Sequence, residues 1–266
     1  MIPTFYLFGK PITVYMLMTL TGIFTVLWYS YHTAEKRGLD EFQMEYALLF
    51  GMGGALLGAH ILYGFTNFSL MMETFHNFFS LPTWRERLES LIPVFGGAVF
   101  YGGLIGGLAA GYLYFRHTRV EIGPYADIAA VSIPMFHTFG RMGCFLSGCC
   151  YGIPWEHGIV YRYSPIPSAN GIARFPVQLV EASLNLILCL VLMRLLKRGK
   201  LRGHLLHLYL LVYPVYRFLL EFLRGDEYRG FLFGLSTSQL ISLLILVVVG
   251  FDWIFAVRRQ KTGAAR

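Results

Sequence analysis

Seven apolar runs recur along this chain, each close to the roughly 20 residues that an α-helix needs to cross about 30 Å of hydrocarbon. They reach from Ile12 to Tyr31, Tyr46 to Phe65, Leu91 to Phe115, Tyr125 to Phe145, Pro176 to Leu196, His204 to Phe222 and Ser238 to Val257. Inside a bilayer the backbone has no water to bond to, so helices are the expected form. The pattern predicts an all-α polytopic membrane protein with seven transmembrane helices, forming a single membrane-embedded domain over residues 1–266. The first run has no basic region before it and no A-x-A site after it, so it reads as a retained helix rather than a removed signal peptide.

The polar segments between the runs predict an orientation. One set of loops and the tail carries Lys36, Arg37, Arg116, Arg119, Lys197, Arg198, Lys200, Arg202, Arg258, Arg259, Lys261 and Arg266; the other carries Lys10, Arg85, Arg87, Arg162, Arg174, Arg224 and Arg229. Basic residues accumulate on the cytoplasmic side. The first set is therefore expected inside, with the N-terminus outside and the C-terminus cytoplasmic. Residues 66–90 mix aromatics with Glu73, Arg85, Glu86, Arg87 and Glu89, the pattern of interfacial amphipathic helices. Residues 148–175, rich in Gly, Pro, Tyr and Ser, predict an irregular loop.

Composition agrees with this class. The chain of 266 residues is 56% hydrophobic and only 14% charged, against about 25% charged in soluble domains. The net charge of +7 is accounted for by the loops, and no basic stripe with interleaved aromatics points to nucleic acid.

Ionisable side chains within a span are costly, and they mark candidate functional positions. The fourth run holds Asp127, His137 and Arg141. The last two are four residues apart and share a helix face, and Asp127 lies near that face almost four turns earlier. These residues suit either an internal network that fixes packing or a site. A glycine-rich stretch, Gly140 to Gly152, follows closely, and an arginine opening such a loop presents forked donors to an anion such as phosphate. The sixth run places Tyr213, Arg217, Glu221 and Arg224 on one face. Arg217 and Glu221 can simply neutralise each other, but the full stripe suggests a headgroup-filled cavity. The fifth run carries Gln178 and Glu181. The third alternates small residues around Tyr101, a pattern that lets helices pack closely; Tyr101 is either a core residue or a hydroxyl facing a cavity. His60 and Tyr15 carry weaker signals.

Four cysteines are present: Cys144, Cys149, Cys150 and Cys189. The first three cluster at the outer end of the fourth run. They lack paired C-x-x-C spacing, and His157 is the only histidine in the loop, so inert packing or one disulfide is expected and no metal.

Four segments in order resemble the prolipoprotein diacylglyceryl transferase family. Tyr101-Gly102-Gly103-Leu104-Ile105-Gly106 is similar to its H-G-G-L-I-G segment. Gly140-Arg141-Met142-Gly143-Cys144-Phe145 through Gly152 is similar to its G-R-[LI]-G-N-F-x-N-x-E-x-x-G segment. Arg174 to Glu181 resembles R-H-P-x-Q-L-Y-E, and Tyr213 to Arg224 resembles Y-x-x-x-R-F-x-x-E-F-x-R. The resemblance covers nearly the whole chain. It implies an enzyme of the bacterial inner membrane that moves a diacylglyceryl group from phosphatidylglycerol to the cysteine thiol of a prolipoprotein signal peptide (the lipobox cysteine). A thioether forms and glycerol phosphate leaves, without cofactor or metal. Within the resemblance, Arg141 and Arg217 are expected to grip the phosphodiester, with Glu181 and Glu221 orienting them. Tyr15, Tyr63, Tyr213, Asp127, Cys144, Gly152 and Arg224 are expected to line the lipid site. Tyr101 stands where the family has histidine, Cys144 where it has asparagine and Cys149 where it has glutamate. His60 stands for an arginine. These departures fall on the acceptor and proton-transfer side. Tyr101, His137 and His60 are the candidate bases. Two other readings stay open: a transferase using the same lipid with a different acceptor, and a non-catalytic lipid-binding or transport protein.

Overall fold

The computed structural model describes residues 4–7, 10–226, 231–232 and 234–263. Arg229 and Arg266 lie outside the described residues, as do the side chains of Lys10, Arg258, Arg259 and Lys261. The chain begins with an antiparallel pair, β1 (Thr4–Leu7) and β2 (Lys10–Thr13). The first helix, α1, therefore runs Val14–Lys36 and not from Ile12: the Thr13 hydroxyl accepts from Met16 N at 3.1 Å and caps it. α2 covers Glu41–Thr66, with Asp40 as its cap. Residues 66–90 form α3 (Phe68–Asn77), a short 3-10 turn and the start of α4 (Trp84–Phe95). Next come α5 (Phe100–Thr118) and α6 (Ile122–Ser147).

The predicted third span is not one helix. α4 and α5 meet at a break with their axes 106° apart. His60 explains how the break is held. Its Nδ1 sits 2.8 Å from Phe95 O and 2.7 Å from Gly97 O. Both partners are carbonyls, so Nδ1 carries the hydrogen and donates to groups that the end of α4 leaves without helical partners.

Residues 148–175 are more ordered than an irregular loop. β3 (Pro154–Val160) pairs antiparallel with β4 (Ala173–Arg174), and a 3-10 turn covers Pro167–Ala169. α7 (Val177–Lys197) and α8 (Leu205–Leu220) follow, with a 3-10 turn at Glu221–Leu223. A short pair, β5 (Phe231–Leu232) and β6 (Leu235–Ser236), leads into α9 (Thr237–Gly263). The fold is predominantly helical, with these short strand pairs at its margins.

Two compact units emerge, residues 40–122 and residues 1–39 with 123–266. In the first, α2 and α5 pack at close range through Gly54, Gly58, Gly102 and Gly106. A Cβ built on Gly58 meets the backbone of Gly102, and one on Gly106 meets the backbone of Gly54. Met44, Ala47, Val94, Tyr101 and Leu104 are buried there. The second unit buries Ile128, Val131, Leu188, Leu192, Leu205 and Tyr209 among α6, α7 and α8. Ser30 of α1 and Ser132 of α6 meet through their hydroxyls at 2.8 Å.

Among the described residues, four helical stretches are long and apolar enough to span a membrane: α1, α2, α7 and Leu205–Leu223. The bent α4–α5 pair makes a fifth if counted as one. These are the marks of a multi-pass membrane protein. Their outward faces agree, since Phe24, Trp28, Leu56, Leu57, Ile187 and Leu219 are all exposed, as expected where lipid is the solvent.

Candidate functional site

The second unit gathers charge where burial is deepest. Glu181, on the second turn of α7, is 1% exposed. Its Oε2 lies 2.9 Å from Arg141 Nε of α6, and its Oε1 lies 3.9 Å from Arg217 Nε of α8. Three helices therefore meet at one carboxylate. His137, one turn before Arg141, brings Nε2 to 3.5 Å from Glu181 Oε1. Its ring packs on Tyr213 at 5.3 Å, and Tyr213 stacks in turn on Tyr209 at 5.5 Å. Such a network holds together because each buried charge has an opposite partner within ion-pair distance; removing one member strands the others.

Arg217 continues the network along its own helix face. Its Nη2 lies 2.6 Å from Glu221 Oε2, at the i+4 spacing, and 3.3 Å from Ser238 Oγ of α9. Glu221 Oε2 also lies 3.8 Å from Arg224 Nη1. Arg224 is fixed on its other side by a fork to Asp226, at 3.0 and 2.5 Å. Of the stripe read from the sixth run, Tyr213 and Arg217 lie on α8, Glu221 opens a 3-10 turn, and Arg224 follows it in extended backbone rather than on the helix. Arg217 Nη1 is buried without a hydrogen-bond partner among the described residues.

Arg141 differs from expectation. It does not open a loop. α6 continues past it to Ser147, and Arg141 is 8% exposed. The helix continues through Gly140 and Gly143 despite their low helix propensity, and at Gly143 packing against α1 offsets it. A Cβ on Gly143 would sit 3.1 Å from the Tyr15 ring, so the small residue brings Tyr15 of α1 against the last turns of α6. Cys144, next in sequence, is buried.

Gly152 ties the chain after α6 to the end of α8. It forms a bridge with Arg224, while Ile153 N donates to Leu223 O at 3.0 Å and Gly225 N to Tyr151 O at 2.9 Å. A side chain there would strike Phe175 O, so only glycine fits so close a backbone approach. Arg174 braces the same corner, donating to Gly152 O at 3.2 Å and Ser168 O at 2.6 Å, with its guanidinium 4.2 Å from the Tyr151 ring centroid.

Asp127 is not gathered into the cluster. It lies about 21 Å earlier along the α6 axis than Arg141, at 1.5 Å per residue. Its two oxygens accept from Gly203 N at 2.7 Å and Leu205 N at 3.0 Å. It therefore serves the unpaired N–H groups that open α8. Tyr101 is buried on α5, and Tyr63 packs at Gly97. Both belong to the unit of residues 40–122, as does His60 with its two carbonyl acceptors.

Several participants escape the sequence reading. Asn185 is fully buried, donates to Glu181 O at 2.8 Å and accepts from Tyr216 OH at 3.0 Å. Its spacing of four from Glu181 on an apolar helix was the available signal. Asp226 and Ser238 had none: a loop aspartate and a serine opening a helix are common.

A helical multi-pass membrane protein with a buried arginine–carboxylate network is the class that fold and site define. The family model for prolipoprotein diacylglyceryl transferase matches residues 3–255, and the chain belongs to that family. It is 32% identical to the phosphatidylglycerol–prolipoprotein diacylglyceryl transferase of Clostridium tetani, over 92% of this chain and 93% of that protein. It is 31% identical to the protein of the same name from Geobacter sulfurreducens, over 94% and 92%. The Enterococcus faecalis protein of that name is 29% identical over 97% and 90%.

Proposed function

We propose that this protein transfers a diacylglyceryl group from phosphatidylglycerol to the lipobox cysteine of a prolipoprotein. The observation that carries the reading is that Arg141 and Arg217, from different helices, meet at Glu181 in a chain of this family. The lipid headgroup approaches from the outer leaflet of the bacterial inner membrane. Arg141 and Arg217 bind its phosphodiester, and the unpartnered Nη1 of Arg217 supplies a donor. The acceptor's sulfur, as thiolate, bonds to the glycerol carbon. The carbon–oxygen bond to phosphate breaks, and glycerol phosphate departs with the electron pair. Fixed guanidinium groups stabilise that developing charge without reorganising.

Glu181 and Glu221 hold the arginines in place. Tyr15, Tyr213, Cys144, Gly152 and Arg224 form the outer end of the site. Among the candidate bases, His137 packs within the network, Tyr101 occupies the family's histidine position, and His60 is committed through Nδ1 to two carbonyls. The chain crosses the membrane seven times as one domain, with the N-terminus outside, the C-terminus cytoplasmic and residues 66–90 at the interface. No nucleic acid takes part.

The decisive experiment is replacement of a deleted prolipoprotein diacylglyceryl transferase by this gene, with mass spectrometry of the lipoproteins. Thioether-linked diacylglycerol is expected. Its absence, with the protein present in the membrane, would overturn this reading.

A further inference from the structure

The stretch after Arg141 brings three thiols together. The Sγ atoms of Cys144, Cys149 and Cys150 all lie within 4.8 Å of one another, and no disulfide joins them. We propose that these three cysteines form a metal site: a three-thiolate cage for one thiophilic divalent cation of the zinc type.

The backbone is arranged to make the cluster. Cys144 projects from the last turn of α6. Gly148 (φ 75°) and Cys150 (φ 54°) both adopt the left-handed conformation, and the chain reverses so that its next two thiols return to the first. That conformation is uncommon for a residue with a side chain. It persists only where the surroundings enforce it, often at functional positions.

Those surroundings are in place. Cys149 N donates to Cys144 O at 3.1 Å, and Gln178 Nε2 of α7 donates to Cys149 O at 2.7 Å. Tyr161 OH donates to the same Gln178 side chain at 3.2 Å. Ser164 Oγ donates to Gly148 O at 2.8 Å. The backbone that carries the thiols is therefore held from two sides by partners outside the cluster.

The separation suits the ion. Zinc–sulfur bonds are about 2.3 Å long, which puts tetrahedral thiolates about 3.8 Å apart. Closing the cluster to that spacing needs less than about 1 Å of movement, within side-chain rotation. Three thiolates around a dication leave one net negative charge. Three ligands leave a fourth position open, as in catalytic zinc sites. A further thiol or a water is the donor it would take. The inference goes beyond the transfer reaction and does not depend on it.

The test uses the full chain in detergent or nanodiscs, reduced and stripped with a chelator, then titrated with Co2+. One equivalent is expected to bind, with intense near-ultraviolet sulfur-to-cobalt charge transfer. Cys149→Ser and Cys150→Ser each reduce the band and weaken Co2+ binding at least tenfold. Cys189→Ser changes neither, because Cys189 lies on α7 with its Sγ toward Val131 O at 3.6 Å. Should the serine variants fail to fold, alkylation of the wild-type thiols decides the matter. Zn2+ then slows alkylation of the part-exposed Cys149 and Cys150, while Cys189, buried on α7, stays unreactive with or without the metal. The proposal is overturned if folded, reduced wild type shows no charge transfer and no Zn2+ protection. It is overturned equally if thiol trapping in intact membranes finds two of the three joined as a disulfide.

Discussion

Arg141 Nε and Glu181 Oε2 stand 2.9 Å apart, although one belongs to α6 and the other to α7. Glu181 faces Arg217 of α8 as well, so one carboxylate sets the spacing of two guanidinium groups. An arginine alone in an apolar interior adopts whatever rotamer reaches water or a neighbour. Two arginines sharing an acceptor have little such freedom, and preorganised charge of this kind is what a reaction with a phosphate leaving group uses.

Replacing Glu181 tests the arrangement directly. Glu181→Ala leaves Arg141, Arg217 and His137 buried around a missing partner, and such breaks cost about 3–5 kcal/mol. Thermal unfolding in nanodiscs should show the loss. Lipid transfer per folded molecule should fall as the arginines drift, and a variant with wild-type stability would remove Glu181 from the centre of this account.

The arginines themselves are expected to resist conservative exchange. Arg141→Lys and Arg217→Lys keep the charge but lose the planar fork. Losing one preorganised donor typically lowers turnover by about 10²–10³-fold. Transfer from phosphatidylglycerol vesicles to a lipobox peptide measures this; near-normal rates in both variants would exclude the arginine clamp.

Asp127 is expected to behave differently from either arginine. Its carboxylate accepts from the backbone at the start of α8. Asp127→Ala should cost about 1–2 kcal/mol, as losing a cap does, while turnover of the folded fraction is retained. Activity normalised to folded protein separates the two effects, and a catalytic defect without a stability change would contradict the capping role.

The seam between α2 and α5 makes a further prediction. Gly58→Ala places a methyl against the backbone of Gly102, whereas a Cβ on Gly53 meets nothing within 4 Å. Overpacking costs about 1–3 kcal/mol, so Gly58→Ala should lower the midpoint of thermal unfolding. Gly53→Ala should keep or raise it, since alanine is favoured over glycine inside a helix by about 1 kcal/mol, and equal effects would mean that the helices do not pack at this seam.

Much of this protein was determined by its sequence alone. Apolar length marks membrane-spanning helices because a bilayer accepts little else, and four ordered motifs identify the family. The stripe Tyr213, Arg217, Glu221 and Arg224 was legible because a helix converts spacing into a face. Tertiary structure decided the rest. Whether Arg141 lies in a loop or a helix depended on tertiary packing, seen where Tyr15 and Met18 of α1 close on Gly143. The break between α4 and α5 depended on His60, whose role is set by carbonyls distant in sequence. Asp127 and Arg141 look equivalent on one helix, yet one meets the start of α8 and the other meets Glu181. Local periodicity gives the direction a side chain points. The partner that arrives there comes from another helix, and only the folded chain brings it.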